Sequence, residues 1–106
     1  SATSQTPWHD VAALYAGLMA IAPSVGARVA HAAAEAESRG PDRGLALLEA
    51  VPSGDVANYQ PYWAVRAHLL ACVERRDEAA DAYRRAIGLS EDPAIRRFLA
   101  QRMGAR

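Results

Sequence analysis

A triplet of apolar residues at relative positions 0, 4 and 7 recurs along this chain at an almost constant spacing. In the stretch DEAADAYRRAIGL, residues 77–89, the triplet is Ala79, Tyr83 and Ala86, and helical spacing places all three on one face. Shifts of 35 and then a further 33 residues toward the N-terminus lead to two more triplets, Gly44, Leu48 and Val51, and Val11, Tyr15 and Leu18. Because a period near 34 residues is typical of stacked helix–turn–helix units, the spacing predicts an all-α helical repeat.

The helices that precede these triplets follow the same register. A shift of 35 residues makes Ala67 equivalent to Ala32, Ala71 to Ala36, and Trp63 to Phe98. Residues 60–93 resemble a tetratricopeptide motif. The matching residues are Trp63, Ala67, Leu70, Ala79, Tyr83 and Ala86. Residues 25–52 match less closely, since Arg28 replaces the aromatic residue and Gly44 the alanine. The alternative is a plain helical bundle in an alanine-rich chain.

Prolines, glycines and capping residues divide the chain into six predicted helices. They span residues 8–22, 25–38, 41–51, 60–75, 77–89 and 93–103. Ser24, Asp77 and Asp92 are the expected N-caps, and no segment alternates with the period of a strand. We therefore expect a short α-solenoid of about six antiparallel helices.

The domain organisation follows from this order of helices. Residues 1–7 are interpreted as a flexible leader, and residues 8–106 as one helical-repeat domain. In the repeat register, the first helix is a second-type helix without a preceding partner. We therefore expect the domain to be the C-terminal part of a longer protein, with an uncovered apolar strip on its first helix that could support a homodimer.

Composition argues against several function classes. The chain has 12 basic and 12 acidic residues, which gives no indication of a polyanion-binding or membrane-surface protein. A single cysteine, Cys72, cannot form an internal disulfide, so a reducing cytoplasm is expected. No apolar run approaches the roughly 18 residues that span a membrane.

Candidate catalytic and metal-binding residues are sparse. His9, His31 and His68 fall on different predicted helices without a carboxylate or thiol at clear ligand spacing. His68 and Cys72, four residues apart, suggest either a metal or nucleophile pair with Glu37 as the orienting group, or a histidine beside a small apolar thiol. We expect no enzyme activity, no catalytic or metal site and no cofactor.

The register also predicts a partner-binding groove on the inner helices. Its predicted lining residues are Val29, Ala33, Glu37, Ala64, His68 and Cys72. This surface is apolar and slightly acidic. Because some tetratricopeptide domains bind a peptide's C-terminal carboxylate through basic residues, its charge argues against a clamp of that kind.

A second resemblance covers nearly all of residues 8–102. The matching motifs include Tyr59, then Ala64, Arg66, Ala67, Leu69 and Leu70, then Glu78 and Ala79, then residues 82–86, then Phe98 and Leu99. In order and spacing they resemble the C-terminal extension of extracytoplasmic-function RNA polymerase sigma factors. The chain has Ala30 and His31 where that family usually has Asn-Arg, and residues 74–76 where it has a helix-ending glycine.

This resemblance implies a regulatory domain of a bacterial, cytoplasmic transcription factor. The implied partners are proteins: the rest of the sigma factor, the polymerase core or a regulator, with no direct nucleic-acid contact and no membrane. Arg96 and Arg97 lie in the first half of the last helix, where the helix dipole disfavours cations, and we expect them to dock an acidic surface beside the packing residues Phe98 and Leu99. The alternative function is a free-standing adaptor unrelated to transcription.

Overall fold

The computed structural model describes residues 7–21 and 24–105. Seven helices form in these ranges: α1 (Trp8–Ile21), α2 (Val25–Arg39), α3 (Pro41–Glu49), α4 (Ser53–Val56), α5 (Gln60–Cys72), α6 (Arg76–Leu89) and α7 (Pro93–Gly104). No described residue lies in a strand, which confirms the prediction of an all-α chain. The short α4 was predicted as a loop. Of the predicted leader, only Pro7 is described, and Ala22 also lies outside the described residues.

Local capping signals set most of the helix ends. The Ser24 hydroxyl accepts a hydrogen bond from the Ala27 amide at 3.1 Å, and the Asp92 carboxylate accepts one from the Ala94 amide at 2.9 Å. Both predicted N-caps are thereby confirmed. The predicted cap at Asp77 is wrong, because α6 begins at Arg76 and places Asp77 in its first turn. An acidic residue at that position still favours the helix through the macrodipole.

Helix α5 ends at Cys72, three residues earlier than predicted, because the backbone leaves the right-handed helical conformation at Glu74. Glu74 has a φ of 62°, the left-handed conformation that commonly follows a helix and usually belongs to glycine. The turn after α5 is thus built with a residue that is less suited to this conformation than glycine.

Each long helix packs on the next one along the chain. The main contacts are α1 with α2, α2 with α3, α5 with α6, and α6 with α7, and α5 also contacts both α2 and α3. No helix in the described ranges has both the length and the apolar character needed to cross a membrane.

The repeated triplets behave differently along the chain. All six members of the second and third triplets are buried, and Leu48 and Leu70 are the largest fully buried side chains. In the first triplet Val11 and Tyr15 are only half-buried, and Leu18 is exposed. Of the residues that the register pairs between partner helices, Ala32 and Ala67 are both buried, whereas Ala36 is buried and Ala71 is exposed.

Hydrogen bonds and a cation–π contact link α4 to the α5–α6 hairpin. The Trp63 indole donates to the carbonyl oxygens of Val56 and Ala57 at 3.1 and 3.2 Å. The Arg85 guanidinium donates to the same Ala57 oxygen at 2.9 Å and lies 5.1 Å from the centre of the Trp63 ring. Trp63 is therefore half-buried, and its indole nitrogen is satisfied by backbone at the edge of the core.

The repeat register predicted that Phe98 of α7 occupies the position equivalent to that of Trp63 on α5. Helix α7 is rotated about its own axis relative to that prediction. Leu99 is buried, as predicted, but 59% of Phe98 is exposed, so Phe98 does not help to anchor the helix. Consecutive residues of a helix point about 100° apart, so burying Leu99 on the preceding helices turns Phe98 toward a neighbouring face.

Candidate functional site

An open groove of about 550 Å³ lies between helices in the described part of the chain. Helices α2 and α5 form its floor, α7 forms one wall, and the first turn of α1 reaches its edge. Four of the six predicted groove residues line it: Ala33, Glu37, Ala64 and His68. Small side chains at Ala33 and Ala64 leave the space open between the larger residues.

Two predicted groove residues lie elsewhere. Val29 is buried in the core cluster with Ala32 and Ala36, because a separation of seven residues returns a helix to nearly the same face. Cys72 is exposed and lines a separate cavity of about 320 Å³ together with Glu74 and Arg76. It is one turn beyond His68, at the end of α5, where the first groove has already closed.

The structure adds residues that the repeat register did not predict. Trp8, Phe98 and Arg102 line the groove from α1 and α7, and the buried side chains of Leu69, Tyr83 and Leu99 complete its apolar base. Trp8 is 37% exposed, and Phe98 is 59% exposed. The sequence contains only a weak indication that these residues line the groove. Arg102 lies three residues after the predicted packing residue Leu99, which places the two on adjacent parts of one helix face.

His68 lines the groove and contacts Arg102, which lines both the groove and the neighbouring cavity. Its Nδ1 lies 3.4 Å from Arg102 Nη2, and its Nε2 lies 3.8 Å from Cys72 Sγ. A guanidinium can only donate, so Nδ1 must accept, and the proton of a neutral imidazole then sits on Nε2, facing the sulfur. This contact with His68 restrains the orientation of Arg102.

This arrangement corrects the expectation that Glu37 could orient His68. A nucleophile pair needs a group that accepts a hydrogen bond from the histidine and stabilises the imidazolium, as a carboxylate does. The group at His68 Nδ1 is instead the guanidinium of Arg102, which donates and cannot accept a hydrogen bond. The geometry gives no support to a Cys72 nucleophile.

The other two histidines lie apart from the groove. His31 is buried, and its Nε2 lies 3.3 Å from Glu35 Oε2, while Arg39 approaches the other carboxylate oxygen at 3.2 Å. His9 lies 3.5 Å from the Ser38 hydroxyl. Within the described ranges, no three His, Cys, Asp or Glu side chains are grouped in a way that could hold a metal ion.

Charge in the groove is set by two side chains. Arg102 and Glu37 both line it and both are exposed, and neither takes part in an ion pair with another described residue. The clearest ion pair of the molecule lies elsewhere: two hydrogen bonds of 2.8 Å from Arg75 lower the pKa of the Glu78 carboxyl. The groove thus presents one cation and one anion that are available to a ligand.

The other predicted partner-binding residues are on the outer surface of α7. Arg96 and Arg97 are both exposed. Arg96 Nη1 lies 3.4 Å from the carbonyl oxygen of Ser90 at the end of α6, so part of its hydrogen-bonding capacity serves the fold. Neither arginine lines the groove.

Helix α1 carries a second apolar surface. Between Val11 and Ile21 it has no charged residue, and Leu14 and Leu18 are 63% and 42% exposed on one face. A helix face in contact with water normally carries polar side chains. This strip, Leu14 and Leu18, is distinct from the groove.

The chain was compared with known proteins at three levels. No family model matches it, no curated protein matches it, and no solved structure matches it. Its function is therefore inferred from its own residues and their geometry.

Proposed function

We propose that this chain is a tetratricopeptide-like helical-repeat module that binds a partner protein in the groove between α2, α5 and α7. The observation that carries the proposal is the exposure of Phe98 and Trp8 around an apolar trough of about 550 Å³. Large exposed aromatic side chains beside a concave apolar surface are typical of protein-binding sites.

Helix packing supports the repeat part of the proposal. Helices α2 and α3 form one hairpin, α5 and α6 form the next, and α5 contacts both helices of the first. In a stacked repeat, each unit contacts its neighbours in this way, and small residues mark the crossings. The burial of the second and third triplets agrees with that arrangement.

The specific role proposed is that of a regulatory C-terminal domain of an extracytoplasmic-function RNA polymerase sigma factor in a bacterial cytoplasm. Its support is the order and spacing of the matching motifs from Tyr59 to Leu99. The partner is then the rest of the sigma factor, the polymerase core or a regulator. Arg96 and Arg97 provide a second contact, with an acidic surface, and the module itself is not an enzyme.

The first experiment separates the groove from the general surface of α7. Phe98→Ser in the full-length protein should weaken binding to the polymerase core about tenfold, the scale of losing one central aromatic contact. Ile95→Ser is the matched control, because Ile95 is 43% exposed on the same helix and does not line the groove. Equal effects of the two changes on binding and on transcription in vitro would contradict a role for the groove.

The second experiment tests the arginine pair. Arg96→Glu with Arg97→Glu should change the melting temperature little, since both residues are exposed and the hydrogen bond lost, from Arg96 to the Ser90 carbonyl oxygen, is long at 3.4 Å. The double change should reduce the affinity and the salt sensitivity of partner binding. Binding at the wild-type level would leave these arginines with a structural role only.

The alternative, a free-standing adaptor, rests on the same groove geometry and needs no link to transcription. The residues that precede Ser1 in the native protein distinguish the two functions. Promoter-reading helices there support the sigma-factor role, whereas further repeats or an enzyme support the adaptor.

A further inference from the structure

The two charges of the groove lie on different helices. Glu37 is on α2 and Arg102 is on α7, and His68 of α5 also lines the groove. The lining is otherwise apolar. A ligand therefore meets a different charge on each of these two helices.

Arg102 is held ready for a ligand. His68 Nδ1 accepts from its Nη2 at 3.4 Å, which limits the positions that this long side chain can take. No described carboxylate lies within ion-pair distance of it. Because a guanidinium presents donors on more than one edge, the contact with His68 leaves donors free for a carboxylate.

The groove is shaped for a segment of protein chain. Its volume of about 550 Å³ has room for large side chains, but Phe98, Trp8, Glu37 and Arg102 all remain exposed along it. Small-molecule sites usually enclose most of the ligand surface, whereas a trough with an exposed rim leaves one side of its occupant in water. An amphipathic peptide fits that condition.

We propose that the occupant is a protein segment with bulky aliphatic side chains beside an acidic one, whose carboxylate pairs with Arg102. The aliphatic side chains lie between Trp8 and Phe98 over the small residues Ala33 and Ala64. Glu37 repels the acidic side chain at α2 and so fixes the orientation of the segment. This inference rests on the proposed function of the groove and specifies its partner.

The test uses two blocked peptides that differ in one charge, acetyl-Leu-Leu-Glu-amide and acetyl-Leu-Leu-Gln-amide. Each is titrated into the isotope-labelled chain and followed by amide chemical shifts. The glutamate peptide should shift Ala33, Ala64, His68 and Phe98 and should bind about two- to fivefold more tightly than the glutamine peptide, the range expected for one exposed ion pair.

Three variants locate the effect. Arg102→Gln should abolish the preference for the glutamate peptide, and Glu37→Gln should increase it. Arg43→Gln is the matched control, since Arg43 is an exposed arginine on α3 that does not line the groove, and it should leave the preference unchanged. Spectra of the free variants report whether the fold is kept.

Equal affinities of the two peptides, a preference that survives Arg102→Gln, or the absence of groove shifts would each overturn this inference. Such a result is distinguishable from failure of the proposed function. If Phe98→Ser still weakens binding of the natural partner while the peptides show no charge preference, the groove binds a partner of different chemistry.

Discussion

Gly44→Ala is expected to destabilise this protein, although the same change in most helices does the opposite. Gly44 lies in α3, and alanine has a higher helix propensity than glycine by about 0.8–1.0 kcal/mol. Here, however, an added Cβ would lie 2.6 Å from the Cβ of Ala36, 2.8 Å from the carbonyl oxygen of Ala32 and 2.8 Å from Cδ1 of Leu69. All three distances are shorter than van der Waals contact allows.

The magnitude follows from which of these neighbours can move. Leu69 can change its rotamer, but the Ala32 oxygen belongs to the backbone of α2, so α2 and α3 must separate to admit the methyl group. Overpacking of a core typically costs about 1–3 kcal/mol. After the gain in helix propensity is subtracted, we expect a net loss of up to about 2 kcal/mol, and each kcal/mol lost should lower the melting temperature by roughly 4–8 °C.

Thermal and urea unfolding monitored by circular dichroism would measure the change, with Gly17→Ala as the matched control. Gly17 lies within α1, and a Cβ there has no neighbour within 4 Å, so this change should stabilise the protein by about 0.5–1 kcal/mol. The opposite signs make the comparison independent of the general effect of replacing glycine. The loss of stability caused by Gly44→Ala should be smaller in an Ala36→Gly background than in the wild-type background, because Ala36→Gly removes the shortest contact.

A rise in stability with Gly44→Ala, similar to that of Gly17→Ala, would refute the close approach of α2 and α3. A loss that does not change in the Ala36→Gly background would locate the strain elsewhere. Either result would require a different packing of the first hairpin.

Three further outcomes are expected. Glu74→Gly should raise the free energy of unfolding by about 0.5–1 kcal/mol because glycine tolerates a φ of 62°, whereas Glu74→Ala should bring no such gain. Leu14→Gln with Leu18→Gln should remove any concentration dependence of the sedimentation coefficient, and a wild-type chain that stays monomeric at high concentration would argue against self-association through α1. Because the pKa of Glu78 is lowered, its ion pair with Arg75 contributes to the stability of the fold above the carboxyl's ordinary pKa, and this contribution is lost as the pH falls through the lowered value. Glu78→Gln should therefore weaken the pH dependence of stability on the acidic side.

The sequence predicted the features that depend on local signals. Ser24 and Asp92 cap helices because a hydroxyl or carboxylate one residue before a helix can accept from its free amides, whatever the rest of the fold does. The triplet Ala79, Tyr83 and Ala86 is buried because its spacing defines one helix face. Both signals can be read within a single turn or helix.

The features that depend on how helices fit together were missed. Gly44 was interpreted as a weaker match to the repeat because alanine is usual there, but the distance between α2 and α3 requires glycine. Phe98 and Arg102 reach the groove because of the rotation of α7 about its own axis, which its packing on α6 determines. No periodicity within α7 specifies that rotation, since its apolar residues do not form one clean face.

The positions of the exposed apolar residues separate two surfaces of different character. All the large exposed hydrophobic residues of the described ranges belong to α1 and α7: Trp8, Leu14, Leu18, Ile95 and Phe98. Helices α2, α3, α5 and α6 pack against one another, and their described residues include no large exposed hydrophobic side chain. Trp8 and Phe98 share the groove with Arg102 and Glu37, so a partner there must satisfy charge as well as fill space. The strip of Leu14 and Leu18 lies on a helix segment without any charge, so a partner there needs only apolar side chains.

Affinity at the groove should therefore fall as the salt concentration rises, while association through the strip should stay constant or become stronger. Salt dependence can thus separate association through the strip from binding at the groove or at Arg96 and Arg97, where charge also contributes.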